Sequence, residues 1–258
     1  MRRSFSVLFW AILVLSLPPW FLGALAVFLV TYPFDRNRKV LHLYSCAWAQ
    51  SYLWLNPTWR LKVFGRQKLP WRGPAVLVAN HESLADTLVL FGLYRPFKWV
   101  SKQSVFQVPF VGWNMYLNGY VGLVRGNSKS VAKMFADCEL WLGRGVPVMI
   151  FPEGTRSPDG EVKAFKDGAF VLAARKDVPI FPIVLTGTAR MLPKHGFVIR
   201  GTSNCEVHVL DPVRPADFNH APEALRDHVH NLIVSERHRL LAAASAPGAE
   251  LRLEPQRQ

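Results

Sequence analysis

The sequence contains few charged residues and few cysteines. Charged residues make up 19% of the 258 positions, against about 25% in a typical soluble domain. Half of the residues are hydrophobic, which excludes an intrinsically disordered chain, because disorder requires low hydrophobicity with high charge. The three cysteines, Cys46, Cys138 and Cys205, include no CxxC pair. Their odd number argues against a disulfide-stabilised scaffold and predicts buried thiols in a reducing compartment.

Acidic residues are also scarce. Asp and Glu number 18 against 31 Lys and Arg, which gives a formal net charge of +13. An excess of this size predicts an anionic partner: nucleic acid, a phosphorylated substrate or an acidic membrane surface. Nucleic acid is disfavoured, because the aromatic residues concentrate near the N-terminus instead of lying between basic residues. We therefore expect an anionic membrane lipid or a phosphorylated substrate and no nucleic acid.

Cofactor motifs are absent as well. The sequence contains neither a GxGxxG nor a GxxxxGK[ST] phosphate-binding loop, and it contains no internal repeat. Its His, Cys, Asp and Glu residues show no spacing typical of metal ligands. The sequence therefore predicts neither a metal site nor a bound cofactor.

A long uncharged segment occupies the N-terminus. Residues 4–34 carry no charged side chain and are flanked by basic residues on both sides. About 20 apolar residues suffice to span a membrane, but Pro18 and Pro19 interrupt the middle of the segment. Two interpretations remain: a single kinked spanning helix, or a re-entrant pair of half-helices of about 14 residues in one leaflet. Basic residues on both flanks favour the re-entrant pair on the cytoplasmic face of a membrane.

The pattern changes near Pro57. Residues 40–57 are rich in Trp and Tyr, which is typical of a membrane–water interface, so we assign 1–57 to a membrane anchor and an interfacial helix. Residues 59–64 alternate between apolar and polar side chains, as a half-buried strand does. We assign 58–241 to a globular domain and 242–258 to a frayed tail.

Strand and helix patterns alternate through the globular part. Short apolar runs typical of buried parallel strands occur at 75–79, 148–151 and 180–185. Helical patterns occur at 83–93, 128–142, 167–175 and from Pro222 onward. This alternation predicts an α/β fold with a mainly parallel central sheet flanked by helices, joined to a two-helix or kinked-helix membrane anchor.

A histidine and an aspartate follow the first buried strand, in the segment Asn80-His81-Glu82-Ser83-Leu84-Ala85-Asp86. If Ser83 caps a helix, the Asp86 carboxylate lies in its first turn and reaches back toward His81. Such a pair is a general-base unit, and a substrate with its own hydroxyl needs no nucleophilic residue. An exposed histidine beside an aspartate at a helix start would give the same spacing. The spacing alone therefore does not distinguish a general-base pair from such a surface pair.

Two further segments place polar residues at strand ends. Residues 151–157, Phe-Pro-Glu-Gly-Thr-Arg-Ser, follow an apolar run, and α/β sheets bind ligands at the carboxyl ends of their strands. Residues 119–126 contain three glycines, which permit close backbone approach, and an arginine that can bind two oxygens of a phosphate. The candidate substrate-binding residues are Lys102, Gly119, Arg125, Glu153, Gly154, Thr155 and Arg156.

Four elements resemble, in order, the four motifs of the glycerolipid acyltransferase family: Asn80-His81-x4-Asp86, residues 119–126, residues 151–157 and Val178-Pro179-Ile180-x-Pro182. The best-known members of this family are the 1-acyl-sn-glycerol-3-phosphate acyltransferases. The resemblance covers residues 70–190 in detail, its Phe-Pro-Glu-Gly-Thr-Arg block is the most specific part, and the N-terminal segment resembles the family's two-helix membrane motif. One departure is Gly122, where the second motif usually has Phe.

The resemblance implies a mechanism. His81, oriented by Asp86, would take the proton from the sn-2 hydroxyl of lysophosphatidate. That hydroxyl would then attack the thioester of acyl-CoA or acyl-carrier protein, without an acyl-enzyme. Arg125, with Lys102 and Arg156, would bind the acceptor phosphate, and Glu153 with Gly154 would shape that pocket. Two alternatives stay open: another lyso-lipid acceptor (a lysophospholipid or a lyso-aminolipid), or a non-catalytic basic protein tethered to the membrane.

Overall fold

The computed structural model describes residues 2–157, 160–192, 198–199 and 202–245. Its helices are α1 Arg2–Thr31, α2 Lys39–Trp54, α3 Ala85–Phe91, α4 Val111–Asn118, α5 Ser128–Gly143, α6 Gly168–Lys176 and α7 Pro222–Ser245. Its strands are β1 Trp59–Phe64, β2 Val76–Ala79, β3 Lys98–Lys102, β4 Val121–Leu123, β5 Val148–Ile150, β6 Ile180–Thr186 and β7 Ser203–Val209. Helix α7 continues past residue 241, where the tail was predicted to begin, and residues 246–258 of that tail lie outside the described residues.

The seven strands form one sheet in the order β1-β7-β6-β2-β5-β3-β4. Neighbouring strands are parallel except for the β6–β7 pair, so β1 and β7 run opposite to the other five. This architecture confirms the predicted α/β class with a mainly parallel sheet. The carboxyl ends of β6, β2, β5, β3 and β4 meet at one side of the sheet, here called the carboxyl edge. The opposite side is the amino edge.

Each face of the sheet is covered by helices, and β2 shows how the sequence achieves this. All four of its residues are buried. Leu77 and Ala79 belong to the core that contains residues of α2, α3 and α4. Val76 and Val78 belong to the core formed with α5, α6 and α7. The continuous apolar run therefore reflects burial on both faces, as expected for a parallel strand.

The N-terminal segment forms one continuous helix, α1, and the favoured pair of half-helices was wrong. Pro18 and Pro19 lie inside this 30-residue helix, which is about 45 Å long. Contacts with α2 hold both sides of the proline pair. The hydroxyls of Ser16 and Tyr52 are 2.9 Å apart, and the Trp20 ring stacks on Trp48 with centroids 6.2 Å apart. These tertiary contacts outweigh the local preference of proline to break a helix.

Helices α1 and α2 form an antiparallel hairpin. The Phe9 ring packs against Trp59, just after α2, and Phe28 lies under the Arg38 guanidinium, just before α2. Most aromatic and apolar side chains of α2 are buried, including Trp48 and Tyr52, whereas Trp54 is 73% exposed. Contrary to the interfacial role expected from its composition, α2 is mainly a core helix between α1 and α3.

The opposite face of α1 carries a row of exposed leucines. Leu8, Leu15, Leu22 and Leu29 follow one another at seven-residue spacing and are 58–75% exposed. Residues seven apart lie on the same side of a helix, so the four side chains form a stripe along the whole helix. The helix is also long and apolar enough to cross a membrane by length and composition.

Two buried basic residues lie where the α1–α2 hairpin packs against the rest of the protein, His42 on α2 and Lys98 on β3. The Lys98 Nζ donates to the backbone carbonyls of Asn37 at 2.9 Å and Asn118 at 2.6 Å, which ties the α1–α2 connection to the end of α4. The His42 Nδ1 lies 2.8 Å from the Tyr120 hydroxyl. Burial lowers the pKa of His42 to about 3, and the nearby Lys98 charge lowers it as well. His42 is therefore neutral in the folded protein at neutral pH.

This burial predicts a pH-dependent stability. Below pH 6.5 the unfolded chain protonates His42 while the folded protein does not, down to about pH 3, so stability falls as the pH is lowered through this window. The slope from this one residue is at most about 1.4 kcal/mol per pH unit. Thermal unfolding of a His42→Gln variant should show a shallower dependence between pH 6.5 and pH 4.5. The exposed His238→Gln variant should keep the wild-type slope, and equal slopes in all three proteins would contradict the assignment.

Candidate active site

The residues predicted to carry chemistry follow four adjacent strands at the carboxyl edge. His81 lies two residues past β2, Glu153 follows β5, Lys102 is the last residue of β3, and Arg125 lies two residues past β4. The spatial order of these strands is β2-β5-β3-β4. The sheet therefore places the histidine and the buried glutamate next to each other, with the two cations progressively farther away.

The structure brings His81 and Asp86 into direct contact. The His81 Nδ1 lies 2.7 Å from the Asp86 Oδ2, and the same oxygen accepts the backbone N–H groups of Glu82 at 2.7 Å and Ser83 at 2.9 Å. Asp86 is fully buried, whereas the His81 side chain is 15% exposed. With its Nδ1–H donated to the carboxylate, the imidazole presents Nε2 as the nitrogen that can accept a proton.

Ser83 caps helix α3, as expected. Its Oγ accepts the Ala85 backbone N–H at 3.2 Å, and the Asp86 carboxylate accepts the Ser83 N–H at 2.9 Å, the reciprocal pair of a capping box. The Asp86 N–H also donates to the Ser83 carbonyl at 3.3 Å. Residues 81–84 therefore wrap around the Asp86 carboxylate before the helix begins, and the short reach from Asp86 to His81 results from this turn.

Aromatic packing fixes the imidazole from one side. The His81 ring stacks on Phe151 with centroids 4.1 Å apart and planes 15° apart. Phe151 in turn stacks on Trp99 of β3 with a centroid distance of 5.6 Å. The ring orientation is therefore set by stacking as well as by the bond to Asp86. Sequence reasoning placed Phe151 in a motif but did not predict this contact.

Glu153 holds the His81 segment through the backbone and does not line an open pocket. Its Oε1 accepts the His81 N–H at 2.7 Å, and its Oε2 accepts the Lys163 N–H at 3.1 Å. The Ser157 N–H donates to the His81 carbonyl at 2.9 Å. Burial raises the pKa of Glu153, and the two backbone N–H groups oppose that shift. The role expected for Glu153 in shaping the acceptor pocket is thus indirect, because its carboxylate is occupied by the backbone.

Two structural partners were missed by sequence reasoning. The Asn80 side chain exchanges two hydrogen bonds with the Leu185 backbone, at 3.0 and 2.8 Å, and so links β2 to β6 beside His81. Glu82 forms a buried ion pair with Arg237 of α7 at 2.9 Å. Burial raises the pKa of Glu82, and Arg237 opposes this shift. Asn80 lies next to His81 in the motif, which is a usable signal, but nothing in the sequence indicates the partner of Glu82.

The remaining predicted residues of the 151–157 segment lie at its exposed end. Thr155 and Arg156 are exposed. Gly154 adopts a φ of +69°, and a Cβ at this position would lie 3.1 Å from the Lys166 side chain. The Lys163 Nζ donates to the Arg156 carbonyl at 3.1 Å. Lys163 and Lys166 thus add two cations that the sequence analysis did not select.

The structure separates Gly119 from the other candidates. Gly119 precedes β4 at the amino edge and ends α4 with a φ of +66°. A Cβ there would approach Trp141 at 2.6 Å and Arg38 at 2.7 Å. Its assignment as a substrate-binding residue was therefore a misreading: the glycine terminates a helix on the side of the sheet opposite His81.

Gly122 of β4 leaves room for a polar side chain. A Cβ at Gly122 would overlap the Gln103 Oε1, and the Phe106 ring lies 3.5 Å from the same point. The Gln103 amide also donates to the Tyr116 hydroxyl at 3.3 Å. At the position where the family motif usually has Phe, this chain therefore packs the amide of Gln103.

In the part of the chain that the structure describes, no group of three or more His, Cys, Asp or Glu could hold a metal ion. Two cavities, of about 660 and 680 Å³, lie away from the His81–Asp86 pair. The second is lined by Gly126 and Asn127, directly after Arg125, by one face of α5 and by Arg175. The arrangement at the carboxyl edge is thus a histidine–carboxylate pair with cations on neighbouring strands.

The chain is similar to known proteins in sequence and in fold. The Acyltransferase family model matches residues 60–186. A 1-acyl-sn-glycerol-3-phosphate acyltransferase of Chlamydomonas reinhardtii is 37% identical over 82% of this chain and 65% of its own length. A chloroplastic 1-acyl-sn-glycerol-3-phosphate acyltransferase of Arabidopsis thaliana is 36% identical over 69% of this chain and 49% of its own length. The chain thus spans about half to two thirds of the length of these two relatives.

Two bacterial proteins match over more of their length. A 1-acyl-sn-glycerol-3-phosphate acyltransferase of Pseudomonas aeruginosa is 32% identical over 74% of each chain. The crystal structure of the 1-acyl-sn-glycerophosphate acyltransferase PlsC from Thermotoga maritima has a TM-score of 0.72 and 25% identity, and the match covers 94% of this chain and 98% of that one. The chain therefore belongs to the acyltransferase family, together with relatives named 1-acyl-sn-glycerol-3-phosphate acyltransferases.

Proposed function

We propose that the protein transfers a fatty acyl group from an acyl thioester to the sn-2 hydroxyl of 1-acyl-sn-glycerol-3-phosphate, giving phosphatidate. The observation that carries the proposal is the 2.7 Å contact between the His81 Nδ1 and the buried Asp86 Oδ2 at the carboxyl edge. The names of the relatives support the acceptor, a lysophosphatidate.

In this mechanism His81 is the general base and Asp86 is the group that orients it. The His81 Nε2 takes the proton of the acceptor hydroxyl as its oxygen attacks the thioester carbonyl carbon. Asp86 stabilises the imidazolium that forms. The tetrahedral intermediate then collapses, the carbon–sulfur bond breaks, and the imidazolium returns its proton to the departing thiolate. No acyl-enzyme is needed, because the acceptor brings the nucleophile.

The phosphate of the acceptor would bind to cations on the strands beside the base. Lys102 ends β3, Arg125 follows β4, and both side chains are exposed. Strands β3 and β4 lie two and three strands from β2, which is about 10 and 14 Å at the usual strand spacing. Long basic side chains at these positions can reach back toward His81. Arg156 lies on the segment after β5, the strand between β2 and β3. The thioester donor is acyl-CoA or acyl-carrier protein.

We further propose that the protein lies in one leaflet of a membrane. The face of α1 opposite the leucine stripe contacts the rest of the protein along its whole length, from the Ser6 Oγ that accepts the Ile199 N–H to Phe28 under Arg38. A helix held in this way cannot cross a bilayer without drawing the catalytic domain into it. The stripe therefore inserts parallel to the surface, on the cytoplasmic side, where acyl donors reside.

Removal of the base tests the mechanism. A His81→Ala variant should lose at least about 100-fold in kcat, the usual lower range for general-base assistance, and should remain folded. The measurement is thiol release from oleoyl- or palmitoyl-CoA, with and without lysophosphatidate. The exposed His238→Ala variant should remain fully active. Substantial activity in His81→Ala would refute the assignment of the base. Thiol release that requires another lyso-lipid in place of lysophosphatidate would change the assigned acceptor.

Removal of the cations tests the acceptor site. Lys102→Gln and Arg125→Gln should each raise the KM for lysophosphatidate about 10-fold or more, because each hydrogen bond to a charged group contributes about 1.5–3 kcal/mol. The KM for the thioester should change little. Lys129→Gln, which removes an exposed charge at the start of α5, is the matched control. Unchanged KM values in both Lys102→Gln and Arg125→Gln would place the phosphate elsewhere.

Polar substitution in the stripe tests the membrane proposal. The double variant Leu15→Ser/Leu22→Ser should bind lipid vesicles at least about 10-fold more weakly, since each buried leucine contributes about 1.5–3 kcal/mol. Its folding should be unaffected, because both side chains are exposed. Leu140→Ser, an exposed leucine of α5 on the other face of the sheet, should co-sediment with vesicles like the wild type. Equal binding by all three proteins would contradict insertion of the stripe.

A further inference from the structure

A cavity of about 660 Å³ lies beside β1, at the end of the sheet farthest from β4. It is formed by the second half of α2, by β1 and by the segments that follow β1 and α3. Strand β1 is three strands from β2, about 14 Å at the usual spacing. The cavity is therefore separate from His81 and from the cations proposed to bind the acceptor.

One wall of this cavity is apolar. Leu61 and Val63 contribute from one face of β1, and Leu53, Trp54 and Trp59 continue the wall toward the carboxyl edge. Arg60 and Lys62 alternate with them along β1 and are exposed. Trp59 also contacts Phe9 of α1, so the apolar end of the cavity adjoins the helix that carries the leucine stripe.

The other end of the cavity carries two arginines without an acidic partner. The Arg66 Nη2 donates to the Gly92 carbonyl at 2.8 Å, and the Arg95 Nε donates to the Leu69 carbonyl at 3.3 Å. The Arg95 guanidinium also lies 4.4 Å from the centroid of the Trp71 ring. Among the residues that the structure describes, neither arginine forms an ion pair. Burial lowers the pKa of Arg95, and the neighbouring Arg66 charge lowers it further.

We propose that this cavity binds the phosphate of an anionic membrane phospholipid at Arg66 and Arg95, with the acyl chains along the apolar wall toward Trp59. Two guanidinium groups held in a concave site by neutral carbonyls are complementary to a phosphate, which each can bind through paired N–H donors. Strand β1 extends about 17 Å between the arginine end and the Trp59 end of the cavity. This length accommodates a phospholipid head group followed by part of its acyl chains.

The volume and the surroundings favour a lipid over a free ion. Ligand cavities typically measure about 300–1,000 Å³, and this cavity falls in that range, with apolar side chains on one wall and two arginines at the other end. A free phosphate would leave the apolar wall uncovered. The lipid chains can continue over the exposed Trp54 toward α1, which already presents the leucine stripe. This site goes beyond the proposed acyl transfer and does not depend on turnover.

The test is a binding measurement on the full chain in a neutral detergent. Calorimetric titration with dioctanoyl phosphatidylglycerol should give saturable binding, at least 10-fold weaker in Arg66→Gln/Arg95→Gln. The matched control is Arg60→Gln/Lys62→Gln, which removes the same charge from the outward face of β1 and should bind like the wild type. Equal weakening of lipid binding in both double variants would show that binding depends on net charge alone and would overturn the proposed site.

Further ligands and variants separate the sources of the phosphate. Inorganic phosphate or coenzyme A binding as tightly as the lipid, with the same dependence on Arg66 and Arg95, would overturn the assignment to a phospholipid. If the arginine variant does not fold, Val63→Phe fills the cavity without changing the charge and should weaken lipid binding. Unchanged binding there would also overturn the proposal. His81→Ala should bind the lipid normally, so a failure of the acyl-transfer proposal would leave this result intact.

Discussion

Burial of three carboxylates governs the geometry of the candidate active site. Asp86, Glu153 and Glu82 all lie below the surface, and a buried carboxylate is tolerated only with hydrogen-bonding or charged partners. Asp86 takes two backbone N–H groups and the His81 imidazole, and Glu153 takes the backbone of His81. Asp86 and Glu153 therefore hold the backbone around His81 in place, and Glu82 ties the same segment to α7 through Arg237.

The parts of this site that depend on neighbouring residues were predictable. His81 and Asp86 are five positions apart, and a strand followed by a turn and a helix start allows only a few arrangements of such a pair. Glu153 contacts His81 across 72 positions and Arg237 contacts Glu82 across 155, and no local pattern indicates such partners. The strands β3 and β4 were missed for a related reason. Their sequences, Lys-Trp-Val-Ser-Lys and Val-Gly-Leu, form no continuous apolar run like those that identified β2 and β5.

Two errors arose where one sequence signal serves two structural purposes. A glycine in a loop can permit close approach of a ligand or can end a helix in the left-handed conformation. Gly119 does the second, and only the course of α4 and β4 distinguishes the two. Proline pairs normally break helices, yet α1 is continuous through Pro18 and Pro19 because packing of Ser16 and Trp20 against α2 supports both flanks.

The charge excess shows most clearly what the sequence leaves undetermined. A net charge of +13 predicts an anionic partner, but it does not say how many sites share the charge. The structure divides the cations among distinct environments: exposed Lys102 and Arg125 at the carboxyl edge, Lys98 buried among carbonyls, and Arg66 with Arg95 at the β1 cavity. Exposed charges are screened by salt and attract any anion, whereas charges held in a concave site select by shape. In the proposed function, the acceptor meets the exposed cations beside His81, and the concave β1 site is the one that can select a phospholipid by shape.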